Sequence, residues 1–413
     1  MEIHIQGMTE LIEQSLLIKS PWFVRDIVAD YEKHRVDIYV DTHDLVEMEC
    51  PECGKLCKRA GYEKTERIWR HGDICFVPSF VHCRRPRVRC PEHGTKVVLA
   101  PWARKNSVLT YHLESYALEL MKDIPRRRTA KLLRCSEKSL VKALNYWVEK
   151  AVEEDDLSGV RSISVDETSF RKGQSYVTVV IDAATRRVVD VEEGRDAGTI
   201  DEFSLKLEKK HGNCNLVETF CSDMSPAYKA GCEMCFPKAQ QVIDKFHVKQ
   251  LMIKGMEEVR KAEQGKTYNS KYAGKKLLMI PETRMLEGQR EALKKLSKSY
   301  PKTGRSYRML QVMDEMFECK TTEEARKILR RLIGWMKRSR LQPMIKVANT
   351  LQSRAEEILA YFKARTTNAI AEGINSIIQA AKRKARGYNT IRGYISMIYL
   401  VAGKLKITCP SAF

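Results

Sequence analysis

Three apolar runs within "SISVDETSFRKGQSYVTVVIDAATRRVVDVEE" (residues 162–193) alternate with a period of two, separated only by short, turn-like breaks. Ile163/Val165, Tyr176 to Ile181 and Val188 to Val191 therefore read as three strands. The connections around "RKGQ" and "DAATR" are short enough for an antiparallel meander. Such a sheet buries at least one face, yet its first strand carries two acids, Asp166 and Glu167, where core residues are expected. An unpaired carboxylate in an apolar interior is costly. The pattern demands either a solvated edge or a partner that neutralises the charge.

Partners follow along the chain. A helix is expected over about 199–210, and "LVETFCSD" (216–223) reads as a buried strand ending on Asp223, ahead of a turn at Ser225-Pro226. A short helix and one more strand, "QQVID", lead to Asp244. The order β-β-β-α-β-α-β is that of an RNase H-like sheet, in which the acids of the first and fourth strands are neighbours. A third acid must come from a helix packed on the same sheet. Residues 251–365 are mostly helical in pattern, strongly basic, and look like an insertion. Beyond them, "ARTTNAIAEGINSIIQAAKRKARGY" (364–388) puts Asn368, Glu372, Asn375, Gln379 and Arg383 on one helical face. Ile370, Ile374, Ile377 and Ala381 line the other. Glu372 is the only carboxylate between Glu357 and the C-terminus. Three carboxylates suit hard divalent ions, Mg²⁺ or Mn²⁺, two per site, which stabilise the charge that builds when a phosphodiester is cut.

Charge points to the same substrate. The chain has 73 Lys and Arg against 53 Asp and Glu, a net charge of +20, which implies a polyanionic partner, with nucleic acid ahead of an acidic membrane surface. Residues 161–250 carry 13 basic and 14 acidic side chains, so the excess lies in the flanking segments. No apolar run reaches the roughly 18–20 residues of a membrane span. The N-terminal "MEIHIQGMTELIEQ" lacks both the basic start and the apolar stretch of a signal peptide. Thirteen cysteines then indicate a reducing cytoplasm in which some bind metal.

The first basic segment holds two knuckles, Cys50-x-x-Cys53 and Cys90-x-x-His93, each in a tight turn (Cys-Pro-x-Cys-Gly and Cys-Pro-x-His-Gly). That spacing lets four side chains converge on one structural Zn²⁺. Cys57, His82 and Cys83 compete for a ligand position without belonging to a knuckle. Cys232 and Cys235 form a further Cys-x-x-Cys, read as helix packing because no second pair accompanies it. Between the zinc segment and the strands, "DIPRRRTAKLLRCSEKSLVKALNYWVEKAV" (123–152) reads as a helix-turn-helix. Pro125 stands at a first helical position, a basic helix runs to Arg134, Cys135 makes the turn, and Ser136 caps a second helix. Leu140, Leu144, Trp147 and Ala151 form its apolar stripe, and Lys138, Lys142 and Asn145 the opposite face. Glu149 extends that face by one turn, where its charge would repel phosphate. A solvated face on any bundle helix has the same pattern. DNA contacts are expected from Lys138, Lys142 and Asn145, from Arg126 and Arg127 on the first helix, and from Lys382, Arg383 and Arg386 near the C-terminus.

The chain resembles the ISL-three family of bacterial insertion-sequence transposases. The resemblance is carried by "PRVRCPEHG" followed by "PWAR" (86–104), "VDETSF" (165–170), "SDMSPAY" (222–228), "DKFHV" (244–248), "TNAIAEGINS" (367–376) and "KRKARGY" (382–388), in the family's order. It implies an α/β architecture: a small β-rich zinc-binding domain (1–105), a helix-turn-helix (106–157), and an RNase H-like catalytic core (158–250). A helical insertion (251–365) and the core's C-terminal helices (366–413) complete it. The family's Asp-Asp-Glu triad falls on Asp166, Asp223 and Glu372. Asp244-x-x-His247 resembles an element of related transposases, placed beside the acids or positioning DNA. A small residue such as Gly is more usual than Cys at position 135. Implied with the family are cleavage and strand transfer at terminal inverted repeats, double-stranded target DNA, a homodimer or larger assembly on DNA, and a bacterial cytoplasmic, nucleoid-associated setting. Two other readings stand beside it: a DNA-binding regulator with a dead acid site, and a recombinase using Tyr388 or Ser225 as a covalent nucleophile.

Overall fold

The computed structural model describes residues 3–44, 46–171, 175–265, 274–363 and 367–410. The chain divides into two compact units, Met1–Asp155 with Ile377–Phe413, and Asp156–Ser376.

The first unit opens with α1 (Ile3–Ser15) and nine strands. β1 (Trp22–Asp30), β2 (Arg35–Thr42), β6 (Arg67–Arg70) and β7 (Ser79–Cys83) form a sheet of order β1-β2-β7-β6. β5 (Arg59–Tyr62), β8 (Pro86–Cys90) and β9 (Gly94–Val97) form a second, and β3 (Met48–Glu49) pairs with β4 (Leu56–Cys57). Trp102 meets Trp22 and Trp69 edge-on at 5.3 and 5.5 Å, the favoured aromatic geometry. Three helices follow: α2 (Tyr111–Asp123), α3 (Arg126–Leu132) and α4 (Glu137–Glu153). Glu114 on α2 is fully buried. It accepts hydrogen bonds from Arg104 Nε (2.9 and 3.0 Å), Ser107 Oγ (2.6 Å) and Trp147 Nε1 (2.7 Å). A buried carboxylate is tolerated only when satisfied in this way, and the network ties the "PWAR" segment to α2 and α4.

The second unit is built on five strands: β10 (Ser162–Arg171), β11 (Ser175–Asp182), β12 (Arg187–Glu193), β13 (Thr219–Ser222) and β14 (Gln240–Ile243). Their order is β12-β11-β10-β13-β14, antiparallel from β12 to β10 and parallel from β10 to β14. The expected connection at "RKGQ" falls on 172–174, outside the described residues. One face of the sheet packs Ile163, Val165 and Val180 against Phe203 of α5 (Ala197–Lys209) and Tyr228 of α6 (Pro226–Cys235). Three boundaries differ from the sequence reading, each for a local reason. α5 starts at Ala197 rather than 199, because the Asp196 side chain caps it by accepting from Thr199 N. β13 is confined to 219–222, because Cys214–Leu216 coils into a 3₁₀ turn. The helical region begins at 245 rather than 251, because the Asp244 carboxylate caps α7 (Lys245–Gln264).

Helices α7, α8 (Glu287–Ser299), α9 (Pro301–Glu318), α10 (Thr322–Lys337), α11 (Gln342–Ser353) and α12 (Ala355–Ala360) enclose a second core in this unit. It is rich in methionine: Met252, Met256, Met309, Met313, Met316, Met336 and Met344 are all buried. α13 (Thr367–Ala385) then contains the division between the units, at Ser376/Ile377, and α14 (Ile391–Ala402) packs on α4. Residues 377–413 thus group with the N-terminal unit, whereas the sequence reading placed 366–413 with the catalytic core. Among the described residues no helix is long and apolar enough to cross a membrane.

Candidate functional sites

Register explains why acids enter the sheet. Ser164 lies opposite Cys221 on β13, and Cys221 opposite Val242 on β14. Two residues further along stand Asp166 on β10 and, one residue past the ends of β13 and β14, Asp223 and Asp244, so the register brings three aspartates to the same end of neighbouring strands. Because Ile163 and Val165 point into the core, Asp166 turns to the opposite face. Glu167 turns back towards α6, where it accepts from Tyr228 Oη at 3.2 Å.

Asp166 is held from three directions. Oδ1 accepts from Glu167 N at 2.7 Å, Oδ2 accepts from Asn375 Nδ2, and His247 Nε2 lies 3.9 Å from Oδ1. Asn375 sits one turn after Glu372 on α13; Glu372 is exposed, and its charge acts on Asp244. The side chain of Asn368, expected on the same helical face, lies outside the described residues. Asp223 accepts from Ser225 N at 2.8 Å, and Asp244 from Phe246 N at 2.8 Å. Beside Asp223 and His247 opens a cavity of about 470 Å³ that Lys254 and Lys275 also line.

The electrostatics are those of a crowded anionic site. Burial raises the Asp166 carboxyl above its ordinary range, and the Asp223 charge adds to this; the Glu167 N–H, His247 and Asn375 oppose it. Burial likewise raises Asp244, with the charges of Glu372 and Asp166 adding and the Phe246 N–H and His247 opposing. Glu167 is raised by burial and by Asp223 and Asp166, against Tyr228 and Arg195. Hard oxygen donors that repel one another fit divalent cations. Among the described residues no three ligand atoms of these acids and His247 close to within 4.8 Å of one another.

The zinc knuckles do close to that extent. Cys50, Cys53, Cys90 and His93 bring their ligand atoms within 4.8 Å of one another. Cys53 Sγ is 3.7 Å from Cys90 Sγ, and His93 Nδ1 is 3.6 Å from Cys90 Sγ and 3.9 Å from Cys50 Sγ. A tetrahedral ion with Zn–S of about 2.3 Å and Zn–N of about 2.0 Å needs edges of roughly 3.5–3.8 Å, so the set fits a structural Zn²⁺. Of the competitors, Cys57 neighbours the Cys90, Cys50 and Cys53 thiols without joining the four-ligand group, and the others are engaged elsewhere. Cys57 Sγ donates to Lys55 O at 3.3 Å, and His82 is bonded to Asp37 (2.7 Å) and Glu66 (2.9 Å). Burial pushes the Cys83 and Cys232 thiols up to about 12, as inert packing residues.

On α3 and α4 the geometry refines the sequence reading. Pro125 precedes the helix as its cap residue rather than occupying the first helical position, and α3 ends at Leu132 rather than Arg134. Arg134 takes the left-handed conformation (φ 49°), so position 135 needs no glycine. Ser136 caps α4, accepting from Lys138 N at 3.2 Å. Lys138 and Lys142 are exposed and Asn145 is half-buried. Glu149 is paired with Arg392 at 2.6 Å, which removes the repulsion expected of it. A separate cleft of about 740 Å³ lies between the α2–α3 corner and the α13–α14 turn. Arg127, Arg128, Lys131, Lys384 and Arg386 line it and are exposed. Arg126 is tied to Glu137 at 2.6 Å, and Lys382 lies over the Tyr394 ring at 5.8 Å. Arg383 is exposed outside the cleft lining. Sequence reasoning passed over Arg128, Lys131 and Lys384, although the runs "RRRTAK" and "KRKAR" carried the signal.

Two family models match the chain. A family model described as transposase, of the ISL3 class, matches residues 163–398. One described as the zinc-finger of transposase IS204/IS1001/IS1096/IS1165 matches residues 47–93. The transposase for insertion sequence element IS1557 of Mycobacterium tuberculosis is 25% identical over 433 residues, covering 97% of this chain and 95% of the relative. The transposase for insertion sequence element IS1001 of Bordetella parapertussis is 23% identical over 349 residues, covering 83% and 85%.

Proposed function

The chain belongs to the ISL3 transposase family, and on that premise we propose that it cuts and joins DNA at the terminal inverted repeats of an insertion sequence. The reading takes the five-stranded sheet as RNase H-like, α3 and α4 as a helix-turn-helix, and Asp166, Asp223 and Glu372 as the catalytic triad. The observation that carries it is the bond from Asn375 to Asp166, which joins the helix of Glu372 to the strand of the first aspartate.

In this reading Asp166, Asp223 and Glu372 would hold Mg²⁺ or Mn²⁺, two per site, and the ions would supply neutralisation of the charge that builds as a phosphodiester is cut. Asn375 and the Glu167 N–H together fix the rotation of the Asp166 carboxylate, one on each oxygen, leaving each oxygen's remaining lone pair for a cation. His247, near Asp166 and following the Asp244 cap, offsets part of the negative charge. The exposed cations of the cleft supply the grip on phosphates, and the Lys138/Lys142/Asn145 face addresses the groove. The DNA partners are the element's ends and a duplex target, both met in the bacterial cytoplasm on the nucleoid. Joining two ends calls for at least a homodimer.

The test is cleavage of a supercoiled plasmid carrying the element's ends, with and without Mg²⁺. Alanine at Asp166, Asp223 or Glu372 is expected to abolish nicking while end binding persists. Glu167→Gln, on the α6 side of the strand, is expected to keep it. Cleavage by the Asp223→Ala variant, or a covalent protein–DNA adduct trapped in denaturant, overturns the reading.

A further inference from the structure

A tight turn in the first unit carries residues poorly suited to its shape. Ile74 and Val77 exchange both backbone hydrogen bonds at 2.9 Å, closing a two-residue loop. Its central residues, Cys75 and Phe76, have φ of 52° and 67°. Positive φ at both positions marks a type I′ turn, for which Asn-Gly is the favoured sequence. A bulky side chain there is strained. Phe76 is also 90% exposed, more than any other large apolar side chain among the described residues.

The loop is unfavourable twice over, in backbone strain and in exposed apolar surface, yet its surroundings hold it firmly. Arg134 Nη1 donates to Phe76 O at 3.0 Å and lies 3.5 Å from Asp73. Arg70 pairs with Asp73 and donates to Leu133 O at 3.2 Å. Arg134 stands two residues before Ser136, the cap of α4. The hairpin tip is therefore fastened to the turn from which α4 starts. Exposed Arg127, Arg128 and Lys131 lie on the preceding helix, and the acid at the tip, Asp73, is already paired. Persistent strain at an exposed, well-anchored position points to function. The surrounding cations select a polyanion as what Phe76 meets.

Resting on the DNA-binding reading of α3 and α4, we infer that Phe76 is a wedge that enters duplex DNA beside the groove faced by α4 and partly unstacks one base step. Apolar side chains inserted in this way kink the duplex and let it follow more of the protein surface. The wedge acts on base stacking, not on base identity. It complements the polar face of α4 rather than duplicating it.

The experiment uses the full chain and a duplex of the element's terminal repeat, with 2-aminopurine placed in turn at each step. Wild type is expected to raise the fluorescence at one step flanking the α4 site. Phe76→Ala is expected to remove that signal and weaken binding about tenfold, whereas Phe76→Trp keeps both. The double variant Cys75→Asn, Phe76→Gly suits the turn better and so folds at least as well; it is expected to lose the signal like Phe76→Ala. An unchanged signal and affinity in the double variant overturns the wedge. So does a loss of self-association in sedimentation with DNA binding intact, which would assign Phe76 to a second copy of the chain. Failure of wild type to bind the repeat at all would instead count against the underlying DNA-binding reading.

Discussion

At the scale of single residues, Asp166 occupies a position that only its chemistry justifies. Its carboxyl is raised by burial and by the Asp223 charge, so without divalent ions the folded state holds the proton to higher pH than the unfolded chain does. Its contribution to stability therefore falls as pH rises from the ordinary aspartate value through the raised one. Asp166→Asn should remove nicking yet raise the melting temperature of the metal-free protein at pH 7 by about 2 °C; calorimetry in chelator checks this, and a lower melting point would refute it. Zinc poses the opposite case, since Cys53 stabilises only through its ion. Cys53→Ala should lose about one zinc per chain and weaken binding to the terminal repeat. Full zinc occupancy in that variant, by metal analysis, would show that other residues hold it.

Between elements, two basic surfaces of the first unit make different demands on DNA. Lys142 and Asn145 lie on a helix face that can address base edges, whereas Arg127 and Lys131 line a cleft suited to phosphates. Lys142→Ala with Asn145→Ala should reduce affinity for the terminal repeat more than for random duplex, by roughly 1–3 kcal/mol per lost base contact. Arg127→Ala with Lys131→Ala should weaken both DNAs alike and lower the salt slope by about two. Titration at several salt concentrations separates the two, and equal losses from both pairs would leave α4 without a reading role. The meander, the knuckles and the stripe of α4 were legible because period two, Cys-x-x-Cys spacing and a 3.6-residue repeat are local signals. Less was legible where capping decides, as at Asp196 and Asp244, because a side chain that caps a helix looks like any polar residue until the turn closes on it. The alignment of Asp244 with Asp166 and Asp223 rests on the register between parallel strands, and the bond from Asn375 spans more than 200 residues. Neither leaves a local trace. The positive φ of Cys75 and Phe76 was equally hidden, because neither residue belongs to the usual turn vocabulary.

For the whole molecule, acid is the condition that should loosen the first unit. His71 is buried between Thr110 (3.0 Å) and Ser15 (3.4 Å), and burial, with the charges of His112 and Arg70, depresses it to about 3. The unfolded chain binds that proton near pH 6.5 while the folded chain refuses it, so stability rises with pH between about 3 and 6.5 and is lost as pH falls through that window. The slope is at most about 1.4 kcal/mol per pH unit, and His71→Gln should flatten it; an unchanged acid limb in that variant would place the sensitivity elsewhere. The helical layer of the second unit answers to a different reagent. Its buried methionines lie out of reach of peroxide while the layer is closed, so each sulfoxide records an opening. Once formed, the polar, chiral oxide no longer fits the place the thioether left. The slow accumulation of oxygen in this layer, read by mass spectrometry, would therefore serve as a clock of how often the enzyme breathes.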